Sequence, residues 1–298
     1  MKFRPHLLLA SALVLSAVLA ASAVAADPAA LETSAAKGDA ESQFLLGRAY
    51  LNGNGVPKDP KKAAALFQQA AEQGNFKAQH NLGLMYSEGR GVKVDRAEAI
   101  KWLRKSAEQG TVRSQVALGD LLASEDPPLH DIKEAAKWYQ RAAEQGDARA
   151  QQRLGELYFA GDSGFEKNPK EAAKWLGKAA AQGNVAARNA LGVLYEREFG
   201  KKTDEAEAAR LYEQAARAGN VKAQSNLGRL YYEGKGVERD LVKAYAWLAV
   251  SSAGGEITAQ NLLPAVEQAL APAQLADGKR LAREFAAAAK APVGQPSR

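Results

Sequence analysis

The 298-residue chain contains no cysteine. Disulfides, thiol nucleophiles and cysteine-ligated zinc or iron–sulfur centres are therefore excluded. Histidine is almost absent as well, with His6, His80 and His130 the full set, too few for a histidine-rich metal site. Blocks of like charge are missing. Lysine plus arginine number 40 and aspartate plus glutamate 34, interspersed, for a formal net charge of +6. Such a distribution is a solvated helical surface rather than a nucleic-acid footprint, so no nucleic-acid partner is expected.

Long apolar runs are also lacking, apart from one at the start. Lys2 and Arg4 precede an apolar stretch from Leu7 to about Ala20, and "ASAVAAD" follows. A positive leader, a short apolar run and small residues at an A-x-A-like site together predict a secretory signal peptide over residues 1–26. The run is shorter than the roughly 20 residues that a spanning helix needs. No cysteine stands at the cleavage point to carry a lipid. The expectation is export to the periplasm or beyond, with no stable membrane insertion after cleavage. Loss of Lys2 and Arg4 lowers the net charge by two, to +4.

What the chain does have is a repeat. The glycine of an "LG" pair recurs at Gly47, Gly83, Gly119, Gly155, Gly192 and Gly228, in steps of 36, 36, 36, 37 and 36. A second glycine keeps the same period at Gly38, Gly74, Gly110, Gly146, Gly183, Gly219 and Gly255. The one longer step comes from "GDSGFEKNP" at 161–169, one residue longer than "GNGVPKDP" at 53–60. A fixed period of this size is the signature of a solenoid.

Each period reads as two helices. Helix A, from about Ala40 to Leu51 in the first copy, carries Gln43, Leu46, Gly47 and Tyr50, with leucine and tyrosine four apart on one face. Helix B opens at Asp59, Asp95, Asp131, Asn168, Asp204 and Asp240, residue types that accept from the free N–H groups of a first turn. It closes at the second glycine. All four tryptophans, Trp102, Trp138, Trp175 and Trp247, fall in one register of helix B, with Leu66 and Leu211 in the other two copies. A register that repeats its residue type is core. Ala63, Ala99, Ala135, Ala172, Ala208 and Ala244 form a second such register. Glycine inside helix A costs about 1 kcal/mol relative to alanine. Its recurrence in six copies predicts a neighbouring helix too close for a Cβ.

"AQHNLGLMYSEGRGVKVDRAEAIKWLRKSAEQG" at 78–110 resembles the Sel-one-like repeat, a relative of the tetratricopeptide repeat. The resemblance implies an all-α fold: a right-handed α-solenoid of six antiparallel helix pairs with helical caps, used to bind protein partners. The corresponding boundaries are a capping helix over 27–38, six repeats over 39–255, capping helices over 256–290 and a disordered tail over 291–298. Pro264 replaces the helix A glycine after the last repeat and is expected to kink or restart that helix. The third copy, with "SEDPPLHD" at 124–131, and the fifth, with "EREFGKKTD" at 196–204, depart most from the pattern.

Three motifs compete with this scaffold reading. The G-x-G elements at Gly53, Gly89 and Gly234 follow helices, whereas a phosphate loop needs a preceding strand. Ser34 and Lys37 match an S-x-x-K string without the S-D-N or K-T-G that accompanies it in penicillin-recognising enzymes. His130 and Glu134 are four apart with no further metal ligand. The alternative of an envelope-active hydrolase thus lacks a catalytic constellation, and no enzyme activity, cofactor or metal is expected. His80 is expected to be exposed.

In the related tetratricopeptide fold, the concave positions lie six and three residues before the helix A glycine and one and four after it. By that register the partner-binding candidates are Phe44, Arg48, Lys77, His80, Arg113, Arg149, Gln152, Phe159, Lys222, Arg229 and Tyr232. Lys77, Arg113 and Arg149 would form a ladder of one cation per repeat for an extended acidic segment, with Phe44 and Phe159 as apolar anchors. The resemblance further implies a sensor-kinase periplasmic domain, an envelope assembly complex or a host protein as partner, bound by a monomer. The leader reading carries its own test. Intact mass of protein from a periplasmic fraction should place the N-terminus at Ala26 or Asp27, and retention of Met1 in a membrane pellet would refute cleavage.

Overall fold

The computed structural model describes residues 28–124, 130–161, 164–199 and 202–290. The expected signal peptide and C-terminal tail lie outside these residues, as do positions 125–129 of the third loop and Gly200 of the fifth. Among the described residues there are fifteen α-helices, one π turn and no strand.

Helix α1 (Pro28–Ala36) precedes six helix pairs. The pairs are α2 (Ala40–Asn52) with α3 (Pro60–Glu72), α4 (Phe76–Glu88) with α5 (Arg96–Glu108), and α6 (Val112–Leu122) with α7 (Ile132–Glu144). They continue as α8 (Ala148–Ala160) with α9 (Pro169–Ala181), α10 (Val185–Leu194) with α11 (Lys202–Arg217), and α12 (Val221–Glu233) with α13 (Leu241–Ala253). Helices α14 (Ile257–Gln268) and α15 (Pro272–Lys290) end the chain. The architecture is an α-solenoid.

Each pair is closed at one crossing. A Cβ built on the helix A glycine would lie 2.8 Å from Phe67 at Gly47, 2.7 Å from Leu103 at Gly83 and 2.6 Å from Tyr139 at Gly119. At Gly155, Gly192 and Gly228 it would lie 2.7 Å from Leu176, Tyr212 and Leu248. The bulky partner always comes from helix B of the same pair. It stands one residue after the tryptophan register. The tryptophans are buried too, at 3–6% exposure. Three of them donate the indole N–H to a glutamate one turn earlier: Trp102 to Glu98 at 3.0 Å, and Trp138 to Glu134 and Trp175 to Glu171 at 3.1 Å. The alanine register is fully buried in all six copies.

Local chemistry sets the ends of the helices. Asp59, Asp95, Asp131, Asn168 and Asp240 accept from first-turn N–H groups. Their own N–H groups donate to the carbonyls of Tyr50, Tyr86, Leu122, Tyr158 and Tyr231, which ties each loop shut. Gly74, at φ 92°, stops helix B in the left-handed conformation that glycine adopts without strain. The G-x-G loops are punctuation. Gly91 sits against the backbone of Pro60, so that the second loop rests on the first turn of α3 with no room for a side chain.

A polar relay runs between the pairs. Gln43, Gln79, Gln115, Gln151 and Gln224 are buried on the A helices. Each donates to the carbonyl eight residues earlier, at the end of the preceding helix, over 3.1–3.2 Å. The first four in turn accept from Gln73, Gln109, Gln145 and Gln182 at 2.8–2.9 Å. Free carbonyls at a helix end are thereby satisfied away from water.

Two expectations are corrected. In the fifth pair the chain makes a π turn over Tyr195–Phe199, and α11 already begins at Lys202. Asp204 therefore lies within the first turn of α11 and is not its cap. Of the kink or restart expected at Pro264, the restart does not occur, since α14 is continuous from Ile257 to Gln268. The proline is exposed, while Ala259 and Val266 on either side are fully buried in the last core cluster and hold the helix together across the missing donor. Helix α15 then folds back over α13, with Phe285 stacked on Trp247 at 4.0 Å.

These contacts set the size of two effects. Gly228→Leu should destabilise by about 1–3 kcal/mol or more through overpacking against Leu248. Trp138→Ala should cost about 3–5 kcal/mol through the cavity it leaves. Denaturant unfolding measures both, and an unchanged midpoint for either variant would place that residue outside the core.

Candidate partner-binding face

The A helices α4, α6 and α8 bring their exposed faces around an open pocket of about 620 Å³. Leu84, Val116, Ala117 and Leu121 give it an apolar part, and its charged or polar lining is His80, Arg113, Asp120 and Arg149, with Glu88, Arg96 and Asp147 also present. A second hollow of about 360 Å³ adjoins it and shares Asp120 and Arg149, adding Tyr139, Arg153 and Glu156. Of the candidate residues, His80, Arg113 and Arg149 thus share one site. Lys222, Arg229 and Tyr232 belong to the sixth pair, further along the stack.

Several candidates differ from expectation. Phe44 is only 4% exposed, packed on Phe67 with ring centroids 6.0 Å apart, and is core rather than an open anchor. Helix α2 turns it inward because Phe67 fills the space above Gly47. Arg48 and Lys77 lie over its ring at 5.7 and 5.5 Å. His80 is half-buried, its Nδ1 2.9 Å from Ser114 Oγ. The cation ladder is largely neutralised: Lys77 binds Glu41 at 2.9 Å and Arg149 binds Asp120 at 2.6 Å. Arg113 is exposed and forms no ion pair among the described residues.

The remaining candidates are engaged to differing degrees. Gln152 donates to Glu156 at 2.8 Å and accepts from Asn184 at 2.9 Å. Phe159 is half-buried beneath Lys167, and Tyr232 beneath Arg239. Lys222 is exposed. Arg229 binds both oxygens of Glu196, at 2.7 and 2.8 Å.

Two carboxylates organise the charges, and neither stands out in the sequence. Tyr139 donates to Asp120 at 2.7 Å and Tyr212 to Glu196 at 3.0 Å. These tyrosines fill the register that elsewhere holds leucine or phenylalanine, and their buried hydroxyls need an acceptor. Burial first, and then the neighbouring carboxylate, hold both phenols above their usual range. The substitution of tyrosine into an apolar register is the signal that could have located Asp120 and Glu196.

The hydrogen-bond chain behind His80 has one direction. Ser106 Oγ donates to the Phe76 carbonyl at 2.8 Å, which uses its only proton. Ser114 Oγ, 2.7 Å from Ser106 Oγ, must then be the donor of that pair. Its own proton is therefore spent, and the contact to His80 needs the proton on Nδ1. Neutral His80 keeps Nε2 as an acceptor. Ser114 is fully buried and cannot attack a substrate. Of the other catalytic or metal-binding candidates, Glu134 is held by Arg104 and Trp138, and His130 Nδ1 contacts the Ser124 carbonyl at 3.0 Å. Lys37 is exposed in the turn after α1. Among the described residues no three metal-ligating side chains converge, and no helix is long and apolar enough to cross a membrane.

Sel1 repeat matches cover residues 40–75, 76–111, 112–147, 148–184, 185–220 and 221–255, more than half of the sequence. The chain belongs to the Sel1 repeat family. A Sel1 repeat protein from Oxalobacter formigenes is 35% identical with a TM-score of 0.62, over 74% of this chain and 88% of that one. The protein c5321, a protective antigen of uropathogenic Escherichia coli strains with the same repeat fold, is 27% identical with a TM-score of 0.58, over 91% of this chain and 68% of that one. No curated protein matches. Sel1 repeats form protein-interaction scaffolds, in general without catalysis.

His80 supplies a pH test of this Sel1 stack. Burial, and secondly the charge of Arg113, lower its pKa from the ordinary imidazole value. The unfolded chain then binds more protons below about pH 6.5, so acidification through that value removes stability and raising the pH restores it. Melting from pH 7.5 to 5 should fall more steeply for the wild type than for His80→Asn, and parallel curves would refute the assignment.

Proposed function

We propose that the protein is an exported, non-catalytic scaffold whose A-helix face binds an extended segment of a partner protein. The observation that carries the reading is the pocket across α4, α6 and α8, with an apolar part and a charged or polar lining on a rigid stack. Core registers repeat one residue type from pair to pair, whereas the pocket positions vary, as suits a surface specialised for one ligand. The leader sequence supports export to the periplasm or beyond. A periplasmic sensor domain or an envelope assembly component is the partner class that fits such a location. The protein acts as a monomer, with α1 at one end of the stack and α14 and α15 at the other.

Capture from periplasmic extract tests the reading. Arg113 has no ion pair to lose, so Arg113→Glu alters the groove without breaking a contact of the fold. The wild type should retain a partner that the variant loses while melting at the same temperature. Equal capture by both would move binding off this face. Peptidoglycan or β-lactam turnover that Ser34→Ala abolishes would overturn the scaffold reading itself.

A further inference from the structure

The lining of the pocket offers two unequal polar groups side by side. Arg113 forms no ion pair among the described residues, although Glu88 and Asp147 line the same pocket, while Arg149 is neutralised by Asp120. His80 presents an acceptor, because the directional chain through Ser114 and Ser106 to the Phe76 carbonyl fixes its proton on Nδ1. An anion with acceptors only would satisfy Arg113 and leave the histidine lone pair unmet. An extended polypeptide supplies both complements, a side-chain carboxylate and a backbone N–H, within a residue or two. It also supplies an aliphatic side chain for the apolar part at Leu84, Ala117 and Leu121. The adjoining hollow shares Asp120, Ser124 and Arg149 with the pocket, which suits a segment that runs on rather than ending there.

We propose that this pocket reads one acidic and one aliphatic side chain of an extended protein segment, with Arg113 binding the carboxylate and His80 Nε2 accepting a backbone N–H. The proposal rests on the groove reading above and narrows it. The ligand is a mixed acidic–aliphatic motif and not a polyacidic run, because the other cations of the ladder are already paired.

Two measurements test it on the full mature chain. Long-range 1H–15N spectra at pH 7.5 should show His80 protonated on Nδ1, with His80→Asn making the assignment. A proton on Nε2 overturns the acceptor role. Randomised linear peptides displayed on phage should then yield binders with one Asp or Glu near one Leu, Ile, Val or Met. Synthetic versions, amidated at the C-terminus, should lose about tenfold or more in affinity on Arg113→Gln, the loss of a charge-assisted hydrogen bond. They should weaken similarly on His80→Phe/Ser114→Ala, which removes the acceptor without orphaning a buried hydroxyl. If that double variant does not fold, a shift of the wild-type Nε2 resonance on peptide addition carries the same test, and its absence overturns the contact. Polyacidic binders weakened equally by Lys222→Ala and Arg113→Gln would overturn the motif and leave the groove reading intact. Binders that need a free terminal carboxylate would overturn the side-chain assignment. Binders indifferent to every A-helix substitution would sink both readings, and failure to enrich any peptide overturns the proposal.

Discussion

The approach of one bulky side chain to one glycine, six times over, is the contact on which the stack depends. Phe67, Leu103, Tyr139, Leu176, Tyr212 and Leu248 each occupy the space where a glycine Cβ would otherwise stand. The crossing brings the two helices of a pair close enough to bury the alanine register completely. It also orients helix A. With the glycine side committed to the partner helix, the flank beside it faces the open groove, and successive A helices present their variable positions together. A glycine that weakens the isolated helix by about 1 kcal/mol is retained because the crossing buries far more than that.

Burial then dictates where polarity can go. Where tyrosine replaces leucine at the crossing, its hydroxyl draws Asp120 or Glu196 to the edge of the groove. Each carboxylate in turn takes an arginine from a neighbouring A helix, Arg149 or Arg229. Charges that look free along the sequence are consumed by the needs of the core beneath them. Lys77 is paired for a different reason, since it meets Glu41 of the first pair, whose crossing residue Phe67 needs no acceptor. Core tyrosines one layer down thus set the charge of the groove at Arg149 and Arg229.

The repeat register was legible in the sequence because it is written six times: the glycine and the alanine recur with their type intact in every copy, and the tryptophan in four, with leucine in the other two. The helix starts at aspartate or asparagine were legible for the same reason, through a local rule of first-turn hydrogen bonding. Two local rules failed. Asp204 did not cap, since a π turn moved the helix start upstream, and Pro264 did not interrupt, since buried neighbours spanned the gap. The groove was only partly legible. The register found His80, Arg113 and Arg149, but burial of Phe44 and the pairing of Lys77 and Arg149 depend on which atoms meet in space. The glutamine relay was missed beyond Gln43, because its second member stands 30 residues away, on the other helix of the pair.

That relay is continuous only through the fourth pair. In the fifth, Arg188 takes the place of the glutamine on helix A and still reaches the Ala180 carbonyl at 3.3 Å, but it has no oxygen to accept with. The facing position on helix B is correspondingly Ala218 rather than glutamine. The same pair carries the π turn in place of a capped loop. The sixth pair lacks the second link as well: Gln224 still reaches the Ala216 carbonyl, but Gly254 stands where the facing glutamine would be. Like a zip closed only part of its length, the cross-brace joins the pairs that carry the pocket and leaves the last two to be held by other contacts.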